Sequence, residues 1–348
     1  MAQKKRSPPS SSSKPRAAGL VYVHDSMPGL SRKRRGRGFS YHDPEGELVK
    51  SAETLQRIRS LAIPPAYSDV WICPHSRGHL QATGRDAKRR KQYRYHPGWS
   101  AHRNTTKFSS LAVFGEALPE IRRRIRLDLR KPGVERERVL AAVALLLDRT
   151  HLRIGNDAYT RKNGSYGLST ITEKHADIDP DTGHVELEFV GKSGMTNRAK
   201  LYHPTIAKVM LRCADLPGQH LFAYLDEAGE CREVGSGEVN DYLREIGGED
   251  ISTKHFRTWA GTVTCADLLA SNEKPGSEAE AKRSVAAAIK ATAAVLQNRP
   301  ATCRKYYVHP RVIETFSNGK LQNEFARPLK GTPEGLAESE ARVLRLIR

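Results

Sequence analysis

Apolar positions occur along this chain in short, well-separated stretches, and their spacing predicts most of its elements. From Leu20 a brief apolar stretch, VYV, leads into the basic run SRKRRGRGFSY. A helix is expected over AETLQRIRSLAI, stopping at Pro64 and Pro65, because proline lacks the N–H that a helix interior needs. YSDVWICP then reads as a strand. A second polar run follows, and the pattern turns helical from about Phe108 to Pro132 before the turn-forming KPG. ERERVLAAVALLLDRT predicts a helix with Val139, Val143, Leu146 and Leu147 on one face. In HVELEFVGKSGMTNRAKLYH, apolar and polar residues alternate on both sides of Gly191-Lys192-Ser193-Gly194, which predicts a β-hairpin with Lys192 at its tip. SGEVNDYLREIGG reads as a capped helix ending at glycines, and SEAEAKRSVAAAIKATAAVLQN as a longer helix rich in alanine. No internal repeat is visible.

Length divides these elements into modules. At 348 residues the chain exceeds the usual size of one compact domain, so a small amino-terminal module before a larger one is expected. Residues 1–18 are rich in Ser, Pro and Lys and are expected to form a disordered basic tail. An amino-terminal domain over 19–104 and a second domain over 105–348 complete the expected organisation, with the boundary placed to within about ten residues by the change to helical spacing.

Charge narrows the function classes. The 58 Lys and Arg against 39 Asp and Glu give +19, an excess that favours a polyanionic partner, with nucleic acid ahead of an acidic membrane surface. No run approaches the roughly 20 apolar residues of a spanning helix, and MAQKKRSPPSSSSKPR lacks the apolar centre of a secretory signal, so a soluble cytoplasmic protein is expected. Cys73, Cys213, Cys231, Cys265 and Cys303 stand singly, without C-x-x-C pairs, and read as reduced structural thiols. The 13 histidines form no H-E-x-x-H pattern, and no Walker-type loop occurs, so neither a metal nor a nucleotide cofactor is suggested. GHLQATGRDAKRRKQYRYHPGW interleaves its cations with Tyr93, Tyr95 and Trp99. A solvated charge run is one reading of it; a surface that tracks a nucleic-acid backbone is the other, with Gln92, Tyr93 and Tyr95 as composition-based contact candidates.

Four separated segments each set one polar residue among apolar neighbours: Arg153 in LRIGND, Lys192 in FVGKSG, Arg257 in KHFRTWAGT and Tyr307 in CRKYYVHPR. Breaking a phosphodiester without a metal needs a nucleophile, positive charge for the crowded phosphorane, and an acid for the departing alkoxide. Arginine's planar fork suits the second task and stays protonated. A lysine at a hairpin tip can reach into a groove and deliver a proton in a crowded cationic site. A tyrosine supplies a nucleophile whose phosphodiester is itself open to reverse attack, so the bond energy is kept. Each residue also has an ordinary alternative. Arg153 can pair with Asp148 or Asp157, Lys192 can be a solvated turn residue, Arg257 can form an interdomain ion pair, and Tyr306 or Tyr307 can be a half-buried helix tyrosine.

RIGNDAY, YGLSTITEKH, FVGKSG, KHFRTWAG and CRKYYVHPR together resemble the motifs of type IB DNA topoisomerases, above all the compact bacterial, poxvirus-like members, and GRDAKRRKQY is similar to the same group. The resemblance covers about residues 20–325. It implies an α+β fold: a small β-rich amino-terminal lobe and a mainly α-helical carboxyl-terminal catalytic lobe of the tyrosine recombinase and topoisomerase IB type, with a small β-sheet or hairpin. It also implies a catalytic pentad in which Arg153, Lys192, Arg257 and Tyr307 match four positions. The family's pattern of Tyr, two residues, Pro and Arg fits Tyr307-Val-His-Pro-Arg311 and so selects Tyr307 over Tyr306. The fifth position usually holds a histidine upstream of the tyrosine; here Asn298 stands there, and its amide can donate to a nonbridging oxygen without charge. His309 follows the tyrosine and does not fill that place. Arg85, Lys88 and Tyr159 are the further DNA contacts that the resemblance implies.

The function so implied is relaxation of supercoils of either sign through a 3′-phosphotyrosyl intermediate, by a monomer clamped on double-stranded DNA, with no ATP or metal. The 50 residues from Arg257 to Tyr307 leave no room for a long linker. Two other classes remain open. A tyrosine recombinase shares the arginines and the tyrosine, but His255 lies at the wrong spacing for its His-x-x-Arg pattern. A basic architectural protein would bind DNA without cutting it.

Overall fold

The computed structural model describes residues 19–329 and 331–348, except for the side chains of residues 100–107. The tail expected over 1–18 lies outside the described residues. The chain divides into two compact units between Lys107 and Phe108.

The first unit is built on an antiparallel sheet of five strands: β1 (Leu30–Arg35), β2 (Gly38–His42), β3 (Ser68–Ile72), β4 (Leu80–Arg85) and β5 (Lys91–Tyr95), in the order β2-β1-β3-β4-β5. Both basic runs are therefore hairpins, which their charge conceals in the sequence. Arg32 shows how such a strand is accommodated: it donates to the carbonyls of Ile63 (3.3 Å), Pro64 (3.1 Å) and Tyr67 (2.6 Å) and lies over the Phe39 ring at 4.1 Å. Both terminal nitrogens of this half-buried cation are thus partnered, while the following Lys33, Arg34 and Arg35 are exposed. Helix α1 (Ala52–Ser60) starts at Ser51, whose hydroxyl accepts the Thr54 N–H at 3.3 Å, and buries Ile58 against Leu30, Val70, Ile72 and Ala82.

Helix α2 (Pro97–Asp128) begins earlier than the expected Phe108, with proline at its first position, where a missing N–H costs nothing. In the second unit it is followed by α3 (Arg136–Thr150), α4 (Asp157–Asn163), a sheet in the order β6-β7-β8 made of β6 (Ala176–Asp179), β7 (His184–Val190) and β8 (Thr196–Tyr202), then α5 (Pro204–Ala214) and the strand pair β9 (Ala223–Leu225) and β10 (Cys231–Glu233). Helices α6 (Ser236–Gly247), α7 (Thr253–Ala270), α8 (Glu278–Val295), α9 (Pro300–Tyr306), α10 (Pro310–Ser317), α11 (Leu321–Ala326) and α12 (Glu338–Ile347) complete it. The architecture is α+β, a five-stranded sheet followed by a mainly helical core with small sheets.

The expected face of α3, with Val139, Val143, Leu146 and Leu147, is buried, and burial extends round the helix to every residue from Val139 to Asp148. Ala141, Ala142 and Ala144 give the back of the helix so little bulk that other elements close over it. The one charge among them, Asp148, is matched by Arg122, which makes bonds of 2.8 and 2.9 Å to Asp148 and 2.7 and 2.9 Å to Glu340. Glu340 also accepts the Trp259 indole N–H at 2.9 Å, so α2, α3, α7 and α12 are tied at one point.

Candidate active site

The end of α3 places the first candidate residue. His151 caps the helix in the left-handed region (φ 56°), and the buried Leu152 anchors the turn that leads to Arg153. The Arg153 and Ile154 carbonyls accept the Leu168 and Ser169 N–H groups at 2.9 and 2.6 Å, which binds RIGN to YGLST. Glycines make that approach possible, since a Cβ on Gly167 would stand 2.5 Å from the Gly155 Cα.

Helix α7 contributes Arg257, only 4% exposed, at a depth where an arginine needs partners. Its Nη1 donates to the His151 carbonyl and its Nη2 to the Leu296 carbonyl at 2.6 Å. Its guanidinium carbon lies 5.3 Å from the centre of the Tyr307 ring. Burial, then the charge of nearby Arg153, lowers the Arg257 pKa to about 10, with a hydrogen bond to Tyr307 acting in the opposite direction; the group is still protonated at neutral pH. Neither arginine has an ion-pair partner among the described residues. Both carboxylates that the sequence offers to Arg153 are engaged elsewhere, Asp148 with Arg122 and Asp157 beside His220 at 3.7 Å. Two cations are thus held together with no anion between them.

The same helix holds the tyrosine. A Cβ on Gly261 would lie 2.5 Å from the Tyr307 carbonyl oxygen, so the backbone of Tyr307 sits directly on α7. Thr262, the next residue, donates to that carbonyl at 3.4 Å and accepts the His309 N–H at 3.1 Å. Tyr307 is half-buried at the end of α9. Tyr306, 42% exposed, has Lys305 over its ring instead. His309 caps α10 by accepting the Arg311 N–H at 3.1 Å, and burial pushes its pKa down to about 4. His255 is likewise structural: it closes the start of α7 by accepting the Ser252 N–H at 3.1 Å and stacks on Phe114.

Asn298 follows Leu296 by two residues. Its Oδ1 accepts the Arg299 N–H at 2.9 Å, while its buried Nδ2 has no partner among the described residues. Such an orphan donor is costly unless a ligand meets it. Lys192 stands at the tip of the β7–β8 hairpin, as expected, exposed and without a polar partner among the described residues. The structure therefore brings Arg153, Arg257 and Tyr307 together, sets Asn298 on the loop that accepts Arg257, and leaves the Lys192 ammonium in solvent.

The remaining candidates are divided between the two units. Tyr159 is exposed on α4 of the second unit, whose first turn is capped by Asn156. Arg85, Lys88, Gln92, Tyr93 and Tyr95 belong to the β4–β5 hairpin of the first unit. Tyr93 and Tyr95 are exposed and stacked, with ring centres 6.0 Å apart. Asp86 shapes the turn that displays Lys88: it accepts the Lys88 and Arg90 N–H groups at 3.0 and 2.9 Å, and its hydrogen bonds with Arg90 hold its pKa at about 2. Arg85 lies 3.4 Å from Asp69, and the Gln92 amide donates to Asp86 at 3.0 Å, so these two already have partners.

Sequence reasoning missed four contributors. The His151 carbonyl is invisible to it, and Gln297 has no sequence signal. Gly261 had one, since it follows Arg257 by four residues, about one helical turn, and so shares its face; Thr262, five residues on, had none. Among the described residues all five cysteines are free, no cluster of three metal-ligating side chains occurs, and no helix is long and apolar enough to cross a membrane.

Known proteins are similar to this chain in sequence. Residues 89–327 match the family described as eukaryotic DNA topoisomerase I, catalytic core, and residues 38–86 match bacterial DNA topoisomerase IB, N-terminal domain. The DNA topoisomerase 1B of Acanthamoeba polyphaga mimivirus is 31% identical over 303 residues, which span 84% of this chain and 88% of that protein. The DNA topoisomerase 1B of Vaccinia virus (strain Western Reserve) is 25% identical over 283 residues, 79% of this chain and 85% of that protein. With its catalytic span and amino-terminal module both matched, the chain belongs to the type IB DNA topoisomerases.

Proposed function

We propose that this topoisomerase relaxes positive and negative supercoils in double-stranded DNA without ATP or a metal ion, as a monomer clamped on the duplex in the cytoplasm. Tyr307 Oη attacks the scissile phosphorus, the P–O5′ bond breaks, and a 3′-phosphotyrosyl bond forms. The phenol proton passes to solvent, and Lys192 gives a proton to the departing 5′ oxygen. Arg153 and Arg257 hold the nonbridging oxygens, and Asn298 donates to one of them. The free 5′ end swivels about the intact strand, and its hydroxyl then attacks phosphorus in the reverse step. Tyr159 and the β4–β5 hairpin residues Arg85, Lys88, Gln92, Tyr93 and Tyr95 contact the DNA.

The observation that carries this reading is the pair of arginines without a counter-anion beside the Tyr307 phenol. A buried and a half-buried cation stay together at a cost, which an incoming phosphodiester removes, and the negative charge gained in the transition state strengthens the effect. The orphan Asn298 Nδ2 supports the same site for the phosphate.

The test is incubation of the full chain with supercoiled plasmid in EDTA without ATP. Relaxation of both signs is expected. An adduct that joins two duplexes without relaxation would make the chain a strand-joining enzyme, and binding without any adduct would leave only an architectural role. Lys192→Ala should cleave slowly and recover when the leaving 5′ oxygen is replaced by sulfur, which needs no proton.

A further inference from the structure

Lys192 is carried by a hairpin at the edge of a three-stranded sheet, and an exposed tip of that kind is the part of the site least held by its own contacts. We propose that Gln297 is a positioning residue for Lys192, its side-chain amide fastening the open edge of β8 to the loop that accepts Arg257 and bears Asn298. The proposal rests on the reading of Lys192 as the acid for the leaving oxygen.

The fastening is a paired contact across 99 positions of sequence. The Arg198 N–H donates to Gln297 Oε1 at 2.6 Å, and Gln297 Nε2 donates to the Arg198 carbonyl at 2.7 Å. β8 is the outer strand, bonded to β7 alone, so these two Arg198 groups are those that an adjoining strand would otherwise take. One side chain thus replaces a neighbouring strand at the position where the hairpin meets the site.

Contacts within the hairpin carry the restraint to its tip. Beside Arg198, the buried Asn197 donates through Nδ2 to the Met195 carbonyl at 3.0 Å. That carbonyl also accepts the Gly191 N–H at 2.8 Å, which closes the turn around Lys192. A Cβ on Gly191 would stand 2.0 Å from the Asn197 amide nitrogen, so turn and anchor are in direct contact. At the other end, the residues flanking Gln297 belong to the site: the Leu296 carbonyl accepts Arg257 at 2.6 Å, and Asn298 follows.

The backbone gives a second indication. Gln297, just past the Leu296 cap of α8, lies in the left-handed region (φ 48°), with its N–H on the Ala294 carbonyl at 3.0 Å and that of Asn298 on the Ala293 carbonyl at 2.8 Å. Helix ends of this form favour glycine, because a side chain there crowds the following carbonyl. A glutamine in that place is disfavoured locally, and both its amide oxygen and its amide nitrogen are engaged by Arg198.

This conformation supplies a discriminating variant. Gln297→Gly suits the backbone better than the natural residue while it deletes the fastening, so lost activity cannot be ascribed to a damaged helix end. The full chain is measured in single-turnover cleavage of a duplex carrying either oxygen or sulfur at the 5′ bridging position, with Lys192→Ala in parallel. Gln297→Gly should slow cleavage of the oxygen substrate roughly 10- to 100-fold, as expected for a displaced proton donor, and return to near the wild-type rate with sulfur. Amide hydrogen exchange should accelerate at Arg198 and over 192–198. An unchanged oxygen rate, equal slowing with oxygen and sulfur while Lys192→Ala is rescued, or unchanged exchange in the hairpin would each overturn the proposal. Failure of sulfur to rescue Lys192→Ala would instead refute the assignment of the acid. Exchange together with the oxygen rate then decides the fastening: faster hairpin exchange with slower cleavage upholds it, and any other result overturns it.

Discussion

Gly261 is where the packing of the nucleophile meets the helix that carries Arg257, and a single methyl group probes it. In Gly261→Ala the new Cβ would stand 2.5 Å from the Tyr307 carbonyl oxygen, 3.0 Å from Leu296 Cδ1 and 3.2 Å from Tyr307 Cβ. Carbon and carbonyl oxygen rest about 3.3–3.6 Å apart at closest contact, so the Tyr307 backbone must retreat by roughly 0.8–1 Å. Leu296, buried in the core, must adjust by a few tenths of an ångström. The Tyr307 carbonyl is held by Thr262, and its displacement moves the phenol relative to Arg257. A shift of about 1 Å in a reacting group costs up to roughly 100-fold in rate, so first-order formation of the covalent adduct should fall about 10- to 100-fold. Overpacking should cost about 1–3 kcal/mol of stability, and DNA affinity should be unchanged. The assay is single-turnover adduct formation on a duplex whose short cleaved strand diffuses away, with binding and urea unfolding measured on the same preparation. Gly237→Ala serves as the control, because nothing lies within 4 Å of its added carbon. Wild-type cleavage by Gly261→Ala would refute the seating of Tyr307 on α7.

Three further outcomes are expected. Arg122→Ala leaves Asp148 and Glu340 buried without their cation and should cost about 3–5 kcal/mol in urea unfolding; a loss below about 1 kcal/mol would show that the four-helix tie is not a stabilising point. His309 is held neutral by burial, with its folded pKa lowered from 6.5 to about 4, so its contribution to stability is present above pH 6.5 and is lost as pH falls toward 4. The melting temperature of His309→Asn should therefore change less over that window than that of the natural protein, and parallel curves would contradict the reading. Lys88→Ala, in a Tyr307→Phe background that cannot cleave, should weaken binding and reduce the slope of log K against log salt by about 0.9, whereas an unchanged slope would remove Lys88 from the DNA surface.

What could be read in advance follows from the kind of signal each element carries. The β7–β8 hairpin, α6 and α8 announce themselves through strict alternation, caps and alanine content, and Lys192 was placed at its tip by that means. The β1–β2 and β4–β5 hairpins did not, because cations on both faces erase the two-residue period; Arg32 is inward only because backbone carbonyls receive it. Helix α3 was visible as a helix but not as the buried centre of its unit, since alanine does not mark a face. At the site, short motifs pointed to Arg153, Arg257 and Tyr307. The partners that seat them are main-chain groups, the carbonyls of His151, Leu296 and Tyr307, and these are the same atoms whatever the residue. Gln297 is hidden for a related reason: its role lies in one conformation and one strand edge 99 positions away.

The choice of nucleophile rests on two adjacent tyrosines, of which Tyr307 has the Arg257 guanidinium over its ring and Tyr306 has Lys305. Trapping the covalent complex on a duplex of known sequence, digesting it and sequencing the modified YYVHPR peptide by fragmentation assigns the phosphodiester to one ring. The nucleotide should be found on Tyr307, with Tyr307→Phe forming no adduct and Tyr306→Phe still forming one. A nucleotide on Tyr306, or an adduct with Tyr307→Phe, would contradict the site described above.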